Sequence, residues 1–107
     1  MKPPVHLSEP TRQWFASVVE TYELEPHHLR LLTLAAESWD RCAQARAIID
    51  EHGLTYQDRF SAPRIRPEVA VERDSKLAFA RLVRELDLDT EITPEASRPP
   101  QLRSIRR

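Results

Sequence analysis

The sequence predicts a mainly α-helical fold: a helical hairpin with a long central helix, a short β-hairpin, a third helix and a disordered basic C-terminal tail. Three observations lead there. Large apolar residues recur at helical spacing from Trp14 to Tyr22 and again from Val71 to Leu86. No strong helix breaker stands between Pro26 and Gly53, the one glycine of the chain. Residues 54–67 instead mix β-branched and aromatic side chains around a Ser-Ala-Pro break, the pattern of a short hairpin. At 107 residues all of this must share one core. A monomer of that size buries only about 60–70% of the surface its unfolded chain exposes, so contact with a partner chain would add useful burial.

Residues 1–6 hold two prolines without a periodic pattern and read as a flexible N-terminal arm. The first helix opens at Ser8, whose hydroxyl can accept an otherwise unpaired amide proton. Glu9 and Pro10 suit a first turn, and Leu7 suits a hydrophobic staple. Trp14, Phe15, Val18, Val19 and Tyr22 form its buried stripe, and it should end near Tyr22.

Glu25 and Pro26 restart helical order, which then reaches about 27 residues, or roughly 40 Å. At 100° per residue Leu29, Leu32, Ala36, Trp39, Ala43 and Ala47 share one face of this helix. Leu31, Leu34, Ala35, Cys42, Ala45 and Ile49 share the opposite face. Two other helices would struggle to cover both, so the second set is the expected oligomer interface. Gly53 suits the left-handed residue that closes a helix, with Leu54 folding back on it. After the hairpin, Pro67 opens the third helix. Val71, Ala78, Phe79, Leu82, Val83 and Leu86 lie on one arc, Glu72 and Lys76 make an exposed pair, and order fades near Leu88. The helical domain is thus 7–88. Residues 89–107 have three prolines and few large apolar groups, a composition that does not repay the entropy of ordering.

Composition limits the chemistry. No apolar run approaches the roughly 20 residues of a membrane helix, the N-terminus lacks the apolar stretch of a secretory signal, and one cysteine cannot build a disulfide framework. A soluble, intracellular protein is expected. Phosphate-cradling loops need several glycines, so the common nucleotide-hydrolysing sites are excluded. Cys42 and four histidines raise the question of a metal. His27 and His28 are adjacent and point about 100° apart on a helix, and no CxxC or HExxH spacing is present, so no metal and no other cofactor is expected. The acids sit mostly on faces shared with arginine, without a nucleophile and base whose meeting is predictable; the protein reads as non-catalytic.

The net charge of −1 hides an asymmetry: residues 96–107 carry Arg98, Arg103, Arg106 and Arg107 with no acid. The hairpin adds Arg59, Arg64 and Arg66 near Tyr56 and Phe60. Either cluster can contact phosphates, with base stacking possible at the hairpin. A solvated loop and a solubilising tail are the plainer readings. The first two helices also resemble a helix-turn-helix superficially, but the second is too long for a recognition helix.

The order of features is informative as a series: Leu7-Ser8, Trp14, Tyr22-Glu23-Leu24, Gly53-Leu54-Thr55, Pro67 with Glu72, Phe79, Arg84-Glu85-Leu86 and Leu88-Asp89. Together these resemble the terminase small subunit family of tailed bacteriophages, over residues 7–89 and most specifically 53–89. The sequence departs from the usual pattern where Ser61-Ala62 replaces a glycine-containing turn and where Arg66 precedes Pro67. The resemblance implies a non-enzymatic DNA-packaging component in the host cell cytoplasm. Such a protein forms a homo-oligomeric ring, binds double-stranded viral DNA and delivers it to the terminase large subunit, which carries the ATPase and nuclease. A ring requires a heterologous interface that closes, and two apolar sides on one long helix would suit it. The competing expectation is a helical protein-interaction adaptor that does not bind nucleic acid.

Overall fold

The computed structural model describes residues 2–88. Its elements are α1 (Glu9–Thr21), α2 (Pro26–His52), β1 (Thr55–Gln57), β2 (Pro63–Ile65) and α3 (Pro67–Leu86), in the predicted order. Each helix begins with proline at its first or second position, where the missing N–H is no loss. The tail expected at 89–107 lies outside the described residues.

The three helices pack as antiparallel neighbours. Asp40 of α2 meets Ser8 and Thr11 at the start of α1. Arg46 of α2 meets Glu72 of α3, and Trp39 meets Phe79. Phe15 and Val18 of α1, Leu32 and Ala36 of α2, Leu86 of α3 and Leu7 form the main buried cluster. The α1 stripe is as expected: Phe15 and Val18 are buried, and Trp14, Val19 and Tyr22 pack against the cluster.

Both sides of the first half of α2 are covered within the protomer, which corrects the expectation of an unsatisfied flank. Ala35, Ala45 and Ile49, expected at an oligomer interface, are at most 5% exposed in the isolated chain. Leu31 and Cys42 are partly buried, Leu31 against the main cluster, and only Leu34 of that set is exposed. The cause is geometric: α1 covers one side of α2 as far as Asp40, while α3 follows the other side from Leu32 to Arg46 and beyond. Uncovered instead is the α1-facing side beyond the start of α1, where Trp39, Ala43 and Ala47 are exposed.

Several local expectations are also revised. Ser8 is the residue before α1, but its hydroxyl does not cap that helix; it donates to Asp40, 2.8 Å away. Glu72 turns to Arg46 at 3.2 Å rather than pairing with Lys76, because the α2 guanidinium lies beside its half-sheltered position. The arm residues 4–7 form a turn, Leu7 N–H to Pro4 carbonyl, and His6 Nε2 lies 2.8 Å from Glu37.

Gly53 ends α2 with φ +89° and ψ −179°, extended beyond the left-handed basin. The chain therefore leaves the helix directly into β1 and Leu54 points to solvent instead of folding back. A Cβ at Gly53 would touch nothing within 4 Å, so the penalty for Gly53→Ala is purely conformational. The substitution is expected to destabilise the protein by about 1–3 kcal/mol, read as a lower urea midpoint at unchanged slope.

Candidate functional site

The hairpin projects from the His52 end of α2 and all six of its strand residues are exposed. Its register pairs Thr55 with Ile65, Tyr56 with Arg64 and Gln57 with Pro63. Because directly opposed residues share a face and neighbours alternate, one face carries Thr55, Gln57, Pro63 and Ile65, without charge. The other carries Tyr56 and Arg64, with Arg66 continuing the alternation.

Asp58 organises the tip. One carboxylate oxygen accepts the Phe60 and Ala62 amide protons at 2.8 and 3.0 Å, and the other accepts from Arg64 Nε at 3.0 Å. The Ala62 N–H, then the Arg64 guanidinium and the Phe60 N–H, hold the Asp58 carboxyl below the usual carboxylate range. Ser61 takes φ +62°, the left-handed conformation a glycine would adopt more easily at this turn. The side chains of Asp58 supply the local hydrogen bonds that make this turn feasible without one.

The three hairpin arginines are not equivalent. Arg59 lies 5.2 Å from the Phe60 ring centre and has no carboxylate partner among the described residues. Arg64 pairs with Asp58 while remaining mostly solvent-exposed. Arg66 donates to the Gly53 and Thr55 carbonyls at 3.1 and 3.3 Å and lies 5.8 Å from the Tyr56 ring centre. Its hydrogen bonds fasten the hairpin to the end of α2, so Arg66 supports the backbone of the site before it can serve any phosphate. Arg98, Arg103, Arg106 and Arg107 lie outside the described residues.

A second feature was missed in the sequence. Trp14, Trp39 and Phe79, one from each helix, meet with ring centres 5.8 Å (Trp14 to Phe79) and 5.0 Å (Trp39 to Phe79) apart. With Pro10 and Thr11 they line an apolar cleft of about 370 Å³. Spacing places each aromatic residue on the apolar side of its own helix; only the alignment of the three helices brings them together at a surface. Among the described residues no three His, Cys, Asp or Glu side chains form a metal-holding group, and no helix is long and apolar enough to cross a membrane. No family model, curated protein or solved structure matches this chain.

Proposed function

We propose that this protein is the non-catalytic small subunit of a viral DNA-packaging terminase, which binds double-stranded viral DNA as a homo-oligomeric ring and delivers it to the large ATPase/nuclease subunit. The ordered series of residues from Leu7 to Asp89 suggests the family. The structural observation that carries the reading is the projecting hairpin face with Tyr56 and the mostly exposed Arg64, braced by Arg66, next to Arg59 at the tip, which has no carboxylate partner among the described residues. A β-ribbon of this kind can present cations to the phosphate backbone and an aromatic ring beside them. The four arginines of residues 96–107 would add a second, sequence-independent contact.

Fluorescence anisotropy with a labelled fragment of viral duplex tests it. Affinity should fall steeply between 50 and 200 mM salt, by about a factor of 10³ if six phosphates are contacted. Arg59→Ser should lower the salt slope by about 1, with similar loss on all sequences. Replacing Arg98, Arg103, Arg106 and Arg107 together by serine should lower it further. Absence of binding at low salt, or binding indifferent to salt, refutes the DNA role. The adaptor alternative draws on a different observation, the exposed aromatic cleft of Trp14, Trp39 and Phe79, and would be favoured by an assembly that ignores DNA.

A further inference from the structure

The turn at the hairpin tip holds one aromatic ring away from the rest of the protein. Besides the three hydrogen bonds to its carboxylate, Asp58 closes the loop through its backbone. Its N–H donates to the Ala62 carbonyl at 3.0 Å, and its carbonyl accepts from the Ser61 N–H at 2.9 Å. Ser61 is held left-handed at φ +62°, a conformation that persists in a residue with a side chain only where its surroundings impose it. The Phe60 amide is tied into this framework at 2.8 Å. Its side chain is nevertheless 76% exposed, more than any other aromatic residue among those described. A ring presented on a fixed backbone loses less freedom on binding than one on a mobile loop.

Charge selects the kind of partner that meets this ring. Residues 54–66 hold three arginines and one acid, and that acid, Asp58, is committed to Arg64 and to two amides. The other described residues hold more acids than lysines and arginines together, so the hairpin is the cationic part of an otherwise acidic fold. The Arg59 guanidinium lies over the Phe60 ring, and Arg64 is mostly exposed beside the turn. An approaching surface therefore meets an apolar ring inside a cationic rim. A nucleic-acid duplex matches both parts, with anionic phosphates outside and flat, stacked bases between them. An acidic protein surface matches only the charge.

From these observations we infer that Phe60 is a wedge: it enters between two stacked base pairs and kinks the duplex, while Arg59 and Arg64 hold neighbouring phosphates. An apolar side chain set among cations is the device by which proteins of unrelated fold unstack a base step. Unstacking costs least at pyrimidine–purine steps such as TA and CA. The tip thus selects its place on the duplex by the ease of deforming it, with no hydrogen bond to a base edge required. The inference rests on the DNA-binding reading above and adds what the hairpin does to the duplex and which steps it favours.

The test uses the full chain and a duplex of about 30 base pairs with one TA step in a run of G·C pairs. The adenine of that step is replaced by 2-aminopurine, and the two ends carry a donor and an acceptor dye. Binding at low salt should raise the 2-aminopurine fluorescence, which reports unstacking, and bring the ends closer. Phe60→Ala changes only an exposed side chain, so circular dichroism and the salt slope should match the parent. Both optical signals should be lost in this variant, together with a preference of about tenfold for the TA duplex over one with GG in its place. Phe60→Leu supplies another apolar wedge and should keep the kink. If the parent binds the duplex with salt-dependent affinity and leaves it straight, or if Phe60→Ala kinks it equally, the wedge is overturned while the DNA reading stands. A parent that ignores the duplex at low salt overturns both. Binding to vesicles of anionic lipid that Phe60→Ala abolishes would in that case assign the ring to a lipid surface.

Discussion

Phe15→Ala is expected to lower the unfolding free energy by about 3–5 kcal/mol, the range for emptying a phenylalanine site in a core. Phe15 is fully buried and packs in one cluster with Val18, Leu32, Ala36 and Leu86, so all three helices border the space it fills. Helix backbones held on three sides cannot collapse far into the void. Whole domains are stable by only about 5–15 kcal/mol, so the variant should be partly unfolded near 37 °C. Leu77→Ala provides the contrast: Leu77 is 61% exposed on α3, and its loss should change stability by no more than about 0.5 kcal/mol. Urea titration of the two variants at one protein concentration, low enough to limit assembly, measures the difference. Equal effects would mean that the three helices do not share the core described above.

Asp40 should be the second large sensitivity, and a pH-dependent one. Its carboxylate is only 9% exposed on α2 and accepts from the Ser8 amide at 2.7 Å, the Ser8 hydroxyl at 2.8 Å and the Thr11 hydroxyl at 2.5 Å. Burial by itself pushes the Asp40 carboxyl up. The Thr11 and Ser8 hydrogen bonds, with the nearby His6 imidazole, outweigh that burial and hold it below its ordinary value. This one side chain does from a distance what Ser8 was expected to do locally, and it ties α1 to the middle of α2. Asp40→Ala strands the buried Thr11 hydroxyl, at about 1–3 kcal/mol for an unsatisfied group, and removes the acceptor of the part-buried Ser8 amide and hydroxyl, so it is expected to destabilise by about 2–3 kcal/mol in total. Asp40→Asn keeps the shape and should lose less, because one oxygen remains an acceptor.

The sign of the pH effect follows from the lowered pKa. The unfolded chain binds the proton more readily than the folded one, so the stabilisation is present above the ordinary carboxylate pKa of about 3.9 and is lost as pH falls through the folded value. Unfolding free energy measured from pH 6 down to pH 2 should therefore drop more steeply in the parent than in Asp40→Asn. Parallel curves would show that folding does not shift the Asp40 carboxyl, so that its hydrogen bonds do not favour the charged form.

The helices were legible because their signals are local. Pro10, Pro26 and Pro67 mark first turns, Gly53 marks the end of α2, and the apolar spacing in between has one period. The hairpin was legible for the same reason, from the Ser-Ala-Pro break between two β-prone triplets. Side-chain partners were not. Ser8 was assigned to its own helix and Glu72 to Lys76 four residues on, because spacing along one helix is all that periodicity measures; both found partners on α2 instead. The interface assignment failed in part for a related reason. The two apolar sides of α2 were correctly read as wanting burial, yet Ala35, Ala45 and Ile49 obtain it from within the chain.

What the sequence by itself determined is the set of elements, their order and their lengths, since caps, breakers and apolar period act over a few residues. Only the tertiary structure decided which apolar surface stays open. Whether Trp14, Trp39 and Phe79 meet depends on how three antiparallel helices are offset along one another, and that offset follows from the summed packing of side chains far apart in the chain. The same holds for the hairpin arginines: identical residue types sit within eight positions of each other, yet Arg66 fastens the backbone, Arg64 pairs with Asp58, and Arg59 lies over the Phe60 ring.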